Sequence, residues 1–166
     1  MKVNIALLTV TDTRTFDNDK SGAILEKKIK EANHNLFDRK ICKDNKSDIV
    51  LIIKEWLKHE NIDVIITTGG TGLTGRDITP EALDEIADKH IPGFGEVFRN
   101  ISLKTVGTSS IQSRACAVLS NGKYIFALPG SSGGVTDAWE GILKHQLDIN
   151  HKPCNFVELF PRLKEK

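Results

Sequence analysis

The residues best suited to chemistry lie in one short stretch. Gly69-Gly-Thr-Gly72, with Gly75 and Arg76-Asp77 close behind, follows the apolar run Asp63–Thr68. Closely spaced glycines let backbone N–H groups approach an anion, and a helix start nearby adds partial positive charge. Thr67, Thr68, Thr71 and Thr74 contribute hydroxyls, and Arg76 a fixed cation. Asp77 would repel a bare phosphate. A bound Mg²⁺ removes that objection, because it takes one or two carboxylates together with substrate phosphates. Two readings of Asp77 stand side by side: a metal ligand, or a turn or cap residue ahead of the helix that Pro80 opens.

Two familiar phosphate motifs fit poorly. Gly70-Thr-Gly-Leu-Thr-Gly75 satisfies G-x-G-x-x-G, but a dinucleotide site needs a helix opening at the loop and an acidic strand end about 20 positions on. Here the helix waits until Pro80, and Phe94–Ile101 has a helical period. A Walker loop needs Lys and a hydroxyl where Arg76 and Asp77 stand. No Ser/His/Asp or Cys/His device is visible. Cys42, Cys116 and Cys154 are odd in number and far apart, so they form neither a zinc pair nor a disulfide framework. They read as small buried or half-buried hydrophobes, and the expected compartment is the reducing cytoplasm. His145 and His151 read as helix-end residues.

These residues need elements to hold them, and strand and helix patterns alternate along the chain. Val3–Val10 is a continuous apolar run, as in a strand covered on both faces. Ser21 is placed to cap a helix carrying Leu25, Ile29 and Ala32, and a short strand near Leu36–Cys42 follows. Ser47 is placed to cap a second helix with the stripe Ile49, Ile52, Ile53, Trp56 and Leu57. After the strand ending at Thr68, Thr79-Pro80 predicts a cap and first position of a third helix. Phe94, Val97, Phe98 and Ile101 predict a fourth. Ala115–Ser120 and Lys123–Leu128 flank Asn121-Gly122, a hairpin signal. Val135, Ala138, Trp139, Ile142, Leu143 and Leu147 mark one last long helix. Trp56 and Trp139 therefore read as core. The expected fold is α/β: a three-layer α/β/α sandwich with a mostly parallel sheet and one antiparallel hairpin. Ligands of such sheets sit beyond the carboxyl ends of the strands, which selects the loops after Val10, Thr68 and Leu128.

The chain has 166 residues, 23 Lys and Arg against 22 Asp and Glu, and 39% hydrophobic residues. That predicts one domain, residues 1–166, with a real core. A net charge of +1 excludes a broad basic face for nucleic acid. No apolar run approaches the ~18 residues of a membrane span. Val3–Val10 could imitate a signal-peptide core, but no small-x-small site follows it.

Several separated motifs, in order, carry a family resemblance. Thr68-Gly-Gly-Thr-Gly72 followed by Arg76-Asp-Ile-Thr-Pro-Glu81 resembles the signature of the MoaB/MogA molybdenum-cofactor proteins. Pro92-Gly-Phe-Gly-Glu96, Ser113-Arg114 and Phe126-Ala-Leu-Pro-Gly-Ser131 continue the likeness. It extends from Asn4–Val10 to Pro153-Cys-Asn-Phe156, and that closing segment is similar to the MoaB branch.

The resemblance implies a trimer or a dimer of trimers that adenylylates molybdopterin. Mg²⁺-ATP and the pterin's terminal phosphate would give adenylyl-molybdopterin and pyrophosphate, and a separate molybdate-insertion protein would use the product. Carried over by position, Asp77 and Asp44 become the catalytic, Mg²⁺-holding carboxylates; a turn role before Ser47 competes for Asp44. The substrate and phosphate contacts become Thr68, Gly69, Gly70, Thr71, Gly72, Arg76 and Glu81 on one side. Asp12 and Ser21 line the pocket, and Ser113, Pro129, Gly130 and Ser131 close it. Arg114 reads equally as a phosphate ligand, a salt-bridge partner or a subunit contact. A second function class, a molybdopterin-binding protein of the same fold without turnover, shares all these residues except the need for both carboxylates.

Overall fold

The computed structural model describes residues 1–165. Its strands are β1 (Asn4–Val10), β2 (Asn35–Cys42), β3 (Val64–Thr68), β4 (Lys89–His90), β5 (Cys116–Ser120) and β6 (Lys123–Leu128). The helices are α1 (Lys20–Glu31), α2 (Lys46–Leu57), α3 (Thr79–Ile86), α4 (Pro92–Val106), α5 (Ser132–Ala138) and α6 (Lys144–Gln146). The sheet order is β2-β1-β3-β6-β5-β4. The first four strands of that order run parallel. Among the described residues no helix is long and apolar enough to cross a membrane.

Strand alternation builds two cores. Ile5 and Leu7 of β1, Val64 and Ile66 of β3, and Tyr124, Phe126 and Leu128 of β6 face one side. There they meet Leu25 and Ile29 of α1, Phe94 and Phe98 of α4, and Val135 and Ala138 of α5. Ala6, Leu8, Val10, Ile65, Ile125 and Ala127 face the other side, against Ile49, Ile53 and Trp56 of α2 and Leu83 of α3. Buried on both faces, the central strands lack the polar alternation of a half-solvated sheet. The three-layer α/β/α fold is therefore as the sequence predicts, and both tryptophans are core.

Several local expectations are corrected. Asp19, not Ser21, caps α1, its carboxylate accepting from the Gly22 N–H at 3.0 Å. Asn45, not Ser47, caps α2. Thr79 does not cap α3; its hydroxyl instead donates to the Gly69 carbonyl at 2.9 Å. For α1 and α2 a neighbouring polar residue of equal capping aptitude takes the position, whereas α3 begins after Ile78 without a side-chain cap. The hairpin forms, with Asn121 and Gly122 both at positive φ, 47° and 71°. A second antiparallel pair, β4 on β5, joins it at the sheet edge. The last helix is interrupted by a π-helical turn, Trp139–Leu143. Gly141 in that turn lies against Ile101 of α4, where a Cβ would come within 2.5 Å of Ile101 Cδ1.

The connections leave the sheet in opposite directions. β1 leads to α1 on the first face, whereas β3 leads to α3 on the second. The crevice between the carboxyl ends of β1 and β3 is thus the topological switch point, where ligands of such sheets bind.

A buried ion pair anchors the β1–α1 connection beside that crevice. Asp19, with no exposed side-chain surface, accepts from Thr9 Oγ1 at 2.6 Å and Arg39 Nη2 at 3.0 Å. Burial pushes its carboxyl up, but the bonds from Thr9, Arg39 and Gly22 outweigh it and hold the carboxyl below its usual value. Removing one partner of a buried pair strands the other charge. Asp19→Ala is therefore expected to lose about 3–5 kcal/mol in urea unfolding at neutral pH. Because the folded value is depressed, that contribution is complete above the unfolded value near ~3.9 and is lost as pH falls through the lowered folded one. The gap between wild type and variant should close in acid.

Candidate functional site

The site begins with a steric requirement at the end of β3. Gly69 has φ 101°, and a Cβ there would sit 2.2 Å from the Val10 carbonyl oxygen. Gly70 has φ 69°, and its Cβ would strike Thr79 Oγ1 at 2.3 Å, with Asp44 Oδ1 at 3.4 Å. Only glycine accepts both the left-handed backbone and the contact. The Gly69 N–H donates to the Leu128 carbonyl at 3.0 Å, and Gly130 packs on the Gly69 Cα. The loops after β1, β3 and β6 therefore meet at one point, and Asp44, from the loop after β2, lies over Gly70.

Beyond the glycines the chain turns at Thr74–Asp77. Asp77 Oδ2 accepts from the Thr74 N–H at 2.8 Å and the Thr74 hydroxyl at 2.7 Å. The turn reading of Asp77 is correct in geometry and the helix-cap reading is not. Burial pushes its carboxyl up, but Thr74 and the Gly72 N–H outweigh that and hold it below the usual range, so it stays ionised.

Arg114 fixes this turn. Its Nε donates to the Gly72 carbonyl and Nη2 to the Asp77 carbonyl, each at 2.7 Å, while Nη1 and Nη2 pair with the Glu81 carboxylate. The guanidinium thus clamps the Gly72–Asp77 loop onto α3. Of the three readings of Arg114, the salt bridge is the one observed, and Glu81 is its partner.

Asp44 is in a different state. Burial and the nearby charges of Asp12 and Asp77 raise its carboxyl above the ordinary value. Its N–H donates to Asp12 Oδ1 at 3.0 Å, and Asp12 Oδ2 lies 3.8 Å from Arg76 Nη1 across the crevice. Three carboxylates are brought within mutual influence, with one exposed arginine among them. Hard oxygen donors with an excess of negative charge suit Mg²⁺. Among the described residues no three His, Cys, Asp or Glu side chains form a ready-made cage.

Other predicted residues are arranged in two groups. Thr71 is buried beside the glycine loop, its carbonyl accepting from the Arg114 N–H. Ser113, Pro129 and Ser131 line a second recess of about 430 Å³ with Ser102, Ser110 and Asp137, between α4 and the start of α5. Gly130 joins the two. Ser21 and Thr68 are corrected as direct contacts, because both are fully buried. Ser21 Oγ is engaged with Asp19 and Arg14, and Thr68 Oγ1 donates to the Pro129 carbonyl at 2.8 Å. They shape the loops that line the site.

Sequence reasoning missed Asp19, Arg39 and Arg14. Arg14 Nη1 donates to the Gly130 carbonyl at 3.0 Å across 116 positions, and no spacing rule reaches that far. Burial pushes the Cys42 thiol up to about 12 and that of Cys116 to about 11, far from a reactive thiolate. Cys154 is exposed, a correction to the half-buried expectation.

A raised carboxyl in the folded state means the charged form is disfavoured there. Stability of the ligand-free protein should fall as pH rises from the ordinary Asp value of ~3.9 through the raised folded one. Asp44→Asn keeps the N–H that bonds Asp12 and removes the repelled charge. Its melting temperature at neutral pH is expected to exceed that of the wild type, with the difference vanishing in acid, as thermal melts across pH would show.

Comparison with known proteins identifies the family and the fold. A family described as "Probable molybdopterin binding domain" matches residues 6–149. The chain is 44% identical over 161 residues to "Molybdenum cofactor biosynthesis protein B" of Escherichia coli strain K12, covering 97% of this chain and 93% of that one. A crystal structure of a molybdenum cofactor biosynthesis protein B superposes with a TM-score of 0.89 at 37% identity, over 100% of this chain and 98% of that one. The tungsten cofactor synthesizing protein MoaB from Pyrococcus furiosus gives 0.76 at 34% identity, over 84% and 89%.

Proposed function

From the premise that the chain belongs to the molybdopterin binding domain family of molybdenum cofactor biosynthesis, we propose that it is a Mg²⁺-ATP-dependent molybdopterin adenylyltransferase. The observation that carries this is the pairing of two carboxylates, Asp44 and Asp77, with the glycine loop Gly69–Gly72 at the switch point. A protein that only bound the pterin would not need a repelled carboxylate such as Asp44.

The chemistry asks for positioning rather than covalent help. A phosphate monoester has a second pKa near ~6, so at neutral pH it is already an anionic nucleophile. What remains is to bring two polyanions together and hold them in line across the α-phosphorus. Asp77 and Asp44 are the residues that would hold Mg²⁺, which supplies charge neutralisation for the approaching and leaving phosphates. With the Gly69 N–H on the Leu128 carbonyl and the Gly72 N–H on Asp77, the loop would meet phosphate oxygens through the Gly70 and Thr71 N–H groups, and Arg114 and Glu81 keep that loop still. The hydroxyl-lined recess beside Ser113 and Ser131 offers donors and acceptors to a polar heterocycle. Gly130, between the recesses, marks where the pterin's phosphate meets the nucleotide.

With wild-type protein, molybdopterin, ATP and Mg²⁺, mass spectrometry should show adenylyl-molybdopterin and one pyrophosphate per product, and nothing when any component is omitted. Asp77→Asn should lower that turnover by about a hundredfold or more, the effect of losing one charge-stabilising group, while pterin binding persists. Tight pterin binding with no adenylylated product from the wild type would turn the assignment to the binding protein without turnover. ATP cleaved to ADP and phosphate would contradict both.

The oligomer is proposed to be a closed trimer, or a pair of trimers. Leu103 and Val106, one turn apart on α4, leave 48% and 53% of their surface exposed, an apolar face suited to burial against another copy. Sedimentation equilibrium at micromolar concentration should return a mass of three or six chains, and a monomer would refute it.

A further inference from the structure

We infer that Arg14 binds a phosphate oxygen of the ligand at the junction of the two recesses. The inference rests on the adenylyltransferase reading and adds to it a residue that no motif identifies.

Three arginines reach the loops at this edge of the sheet, and two are already engaged. Arg114 is bound to Glu81 and two loop carbonyls. Arg76 faces Asp12 and is 77% exposed. Arg14 is half-buried, and both of its side-chain hydrogen bonds come from Nη1: to Ser21 Oγ at 3.2 Å and the Gly130 carbonyl at 3.0 Å. Both acceptors are neutral. Among the described residues no carboxylate pairs with it, whereas Arg39, Arg76, Arg114 and Arg162 each have one; Arg99, which also has none, is committed to the Ser113 and Ala115 carbonyls ahead of β5. Its Nε and Nη2 are not sealed inside the protein, since Arg39 Nε is the one buried side-chain polar atom without a partner among the described residues. A half-buried guanidinium carrying unused N–H groups, set at a site for polyanions, has the ligand's phosphate as its natural counter-ion.

The surroundings hold Arg14 in place for that purpose. Its backbone N–H donates to Thr11 Oγ1 at 3.3 Å, and the Asp19 N–H closes the following turn on the Thr15 carbonyl at 2.9 Å. Ser21 is in turn held by Asp19, which is held by Thr9 and Arg39. A chain of bonded side chains thus runs from the buried ion pair to the guanidinium. Such support makes a charged group effective, because little ordering remains to be done when the ligand arrives.

Either substrate could bring the phosphate, so the test uses matched pairs: molybdopterin against its phosphatase-treated form, and ATP against adenosine. Binding is measured by titration calorimetry with Mg²⁺ present. Arg14→Gln is expected to weaken the phosphorylated member of one pair by about tenfold to a hundredfold and leave its dephosphorylated partner unchanged. The pair that responds names the source. Arg14→Lys, which keeps the charge, should recover part of the loss. Equal weakening of both members would mean that Arg14 only props the Gly130 loop, and would overturn the inference, as would no weakening. A second measurement needs no loss-of-charge variant. In the wild type, the side-chain ¹⁵N resonance of Arg14, assigned by its disappearance in Arg14→Lys, should move with the phosphorylated ligand alone; a resonance that ignores both overturns the inference. Wild-type protein that binds neither molybdopterin nor ATP refutes the functional reading together with this one. Wild-type binding without an Arg14 effect refutes this one only.

Discussion

Everything at the carboxyl edge of the sheet depends on a close backbone crossing at Gly69. The end of β1, the end of β3 and the loop after β6 converge on that residue, and a Cβ there would lie 2.2 Å from the Val10 oxygen. Any other residue would push the β3 loop away from Val10. That loop carries Asp77, bonds Thr79 through the Gly69 carbonyl, and receives Gly130 against its Cα. One absent side chain therefore sets the separation between the carboxylate cluster and the hydroxyl-lined recess. The first role of these glycines is to let three loops occupy the same small volume.

The second constraint is electrostatic and works against stability. Asp12, Asp44 and Asp77 repel one another, and the raised carboxyl of Asp44 and the lowered one of Asp77 record how those two are treated. Asp77 is kept ionised by Thr74 and Gly72, whereas Asp44, held over Gly70, has one backbone donor, Asp12, which burial and the charges of Asp12 and Asp77 outweigh, and it rises. A folded chain gains no stability from such an arrangement, and the proposed Mg²⁺ would offset the repulsion. Stored strain of this kind belongs to functional sites, and the rest of the molecule compensates for it with two continuous apolar cores.

The layers were legible in the sequence because burial on both faces leaves an unbroken apolar run, and because helical stripes recur at fixed spacing. The glycine loop was legible for the same reason: its composition is unusual and contiguous. The caps were not, since Asp19 and Ser21, or Asn45 and Ser47, are equally good candidates until packing chooses. β4 was not, because two exposed residues show no period. The site residues that depend on long-range partners were the least visible. Arg114 read three ways, and only its bonds to Gly72, Asp77 and Glu81 bring out the salt bridge. Arg14 and Asp19 sit in a turn-rich segment whose composition says only that it is a loop.

That pattern follows from the kind of chemistry involved. When the nucleophile belongs to the substrate and is already charged, the protein contributes placement. Placement is a property of how loops are fixed, not of which reactive side chain is present. The sequence of such a site shows its anion cradle and its carboxylates, while the bonds that fix them come from residues with no chemical signature of their own. Arg114 holds the glycine loop against α3, and Asp19 and Arg39 hold the β1 loop from within the core. Ser21 and Thr68, fully buried, each donate their hydroxyls to a neighbouring group that faces a loop of the site. For the transferase proposed, the side chains most needed for rate would include several that never touch the substrate, and they are found by following hydrogen bonds inward from the loops.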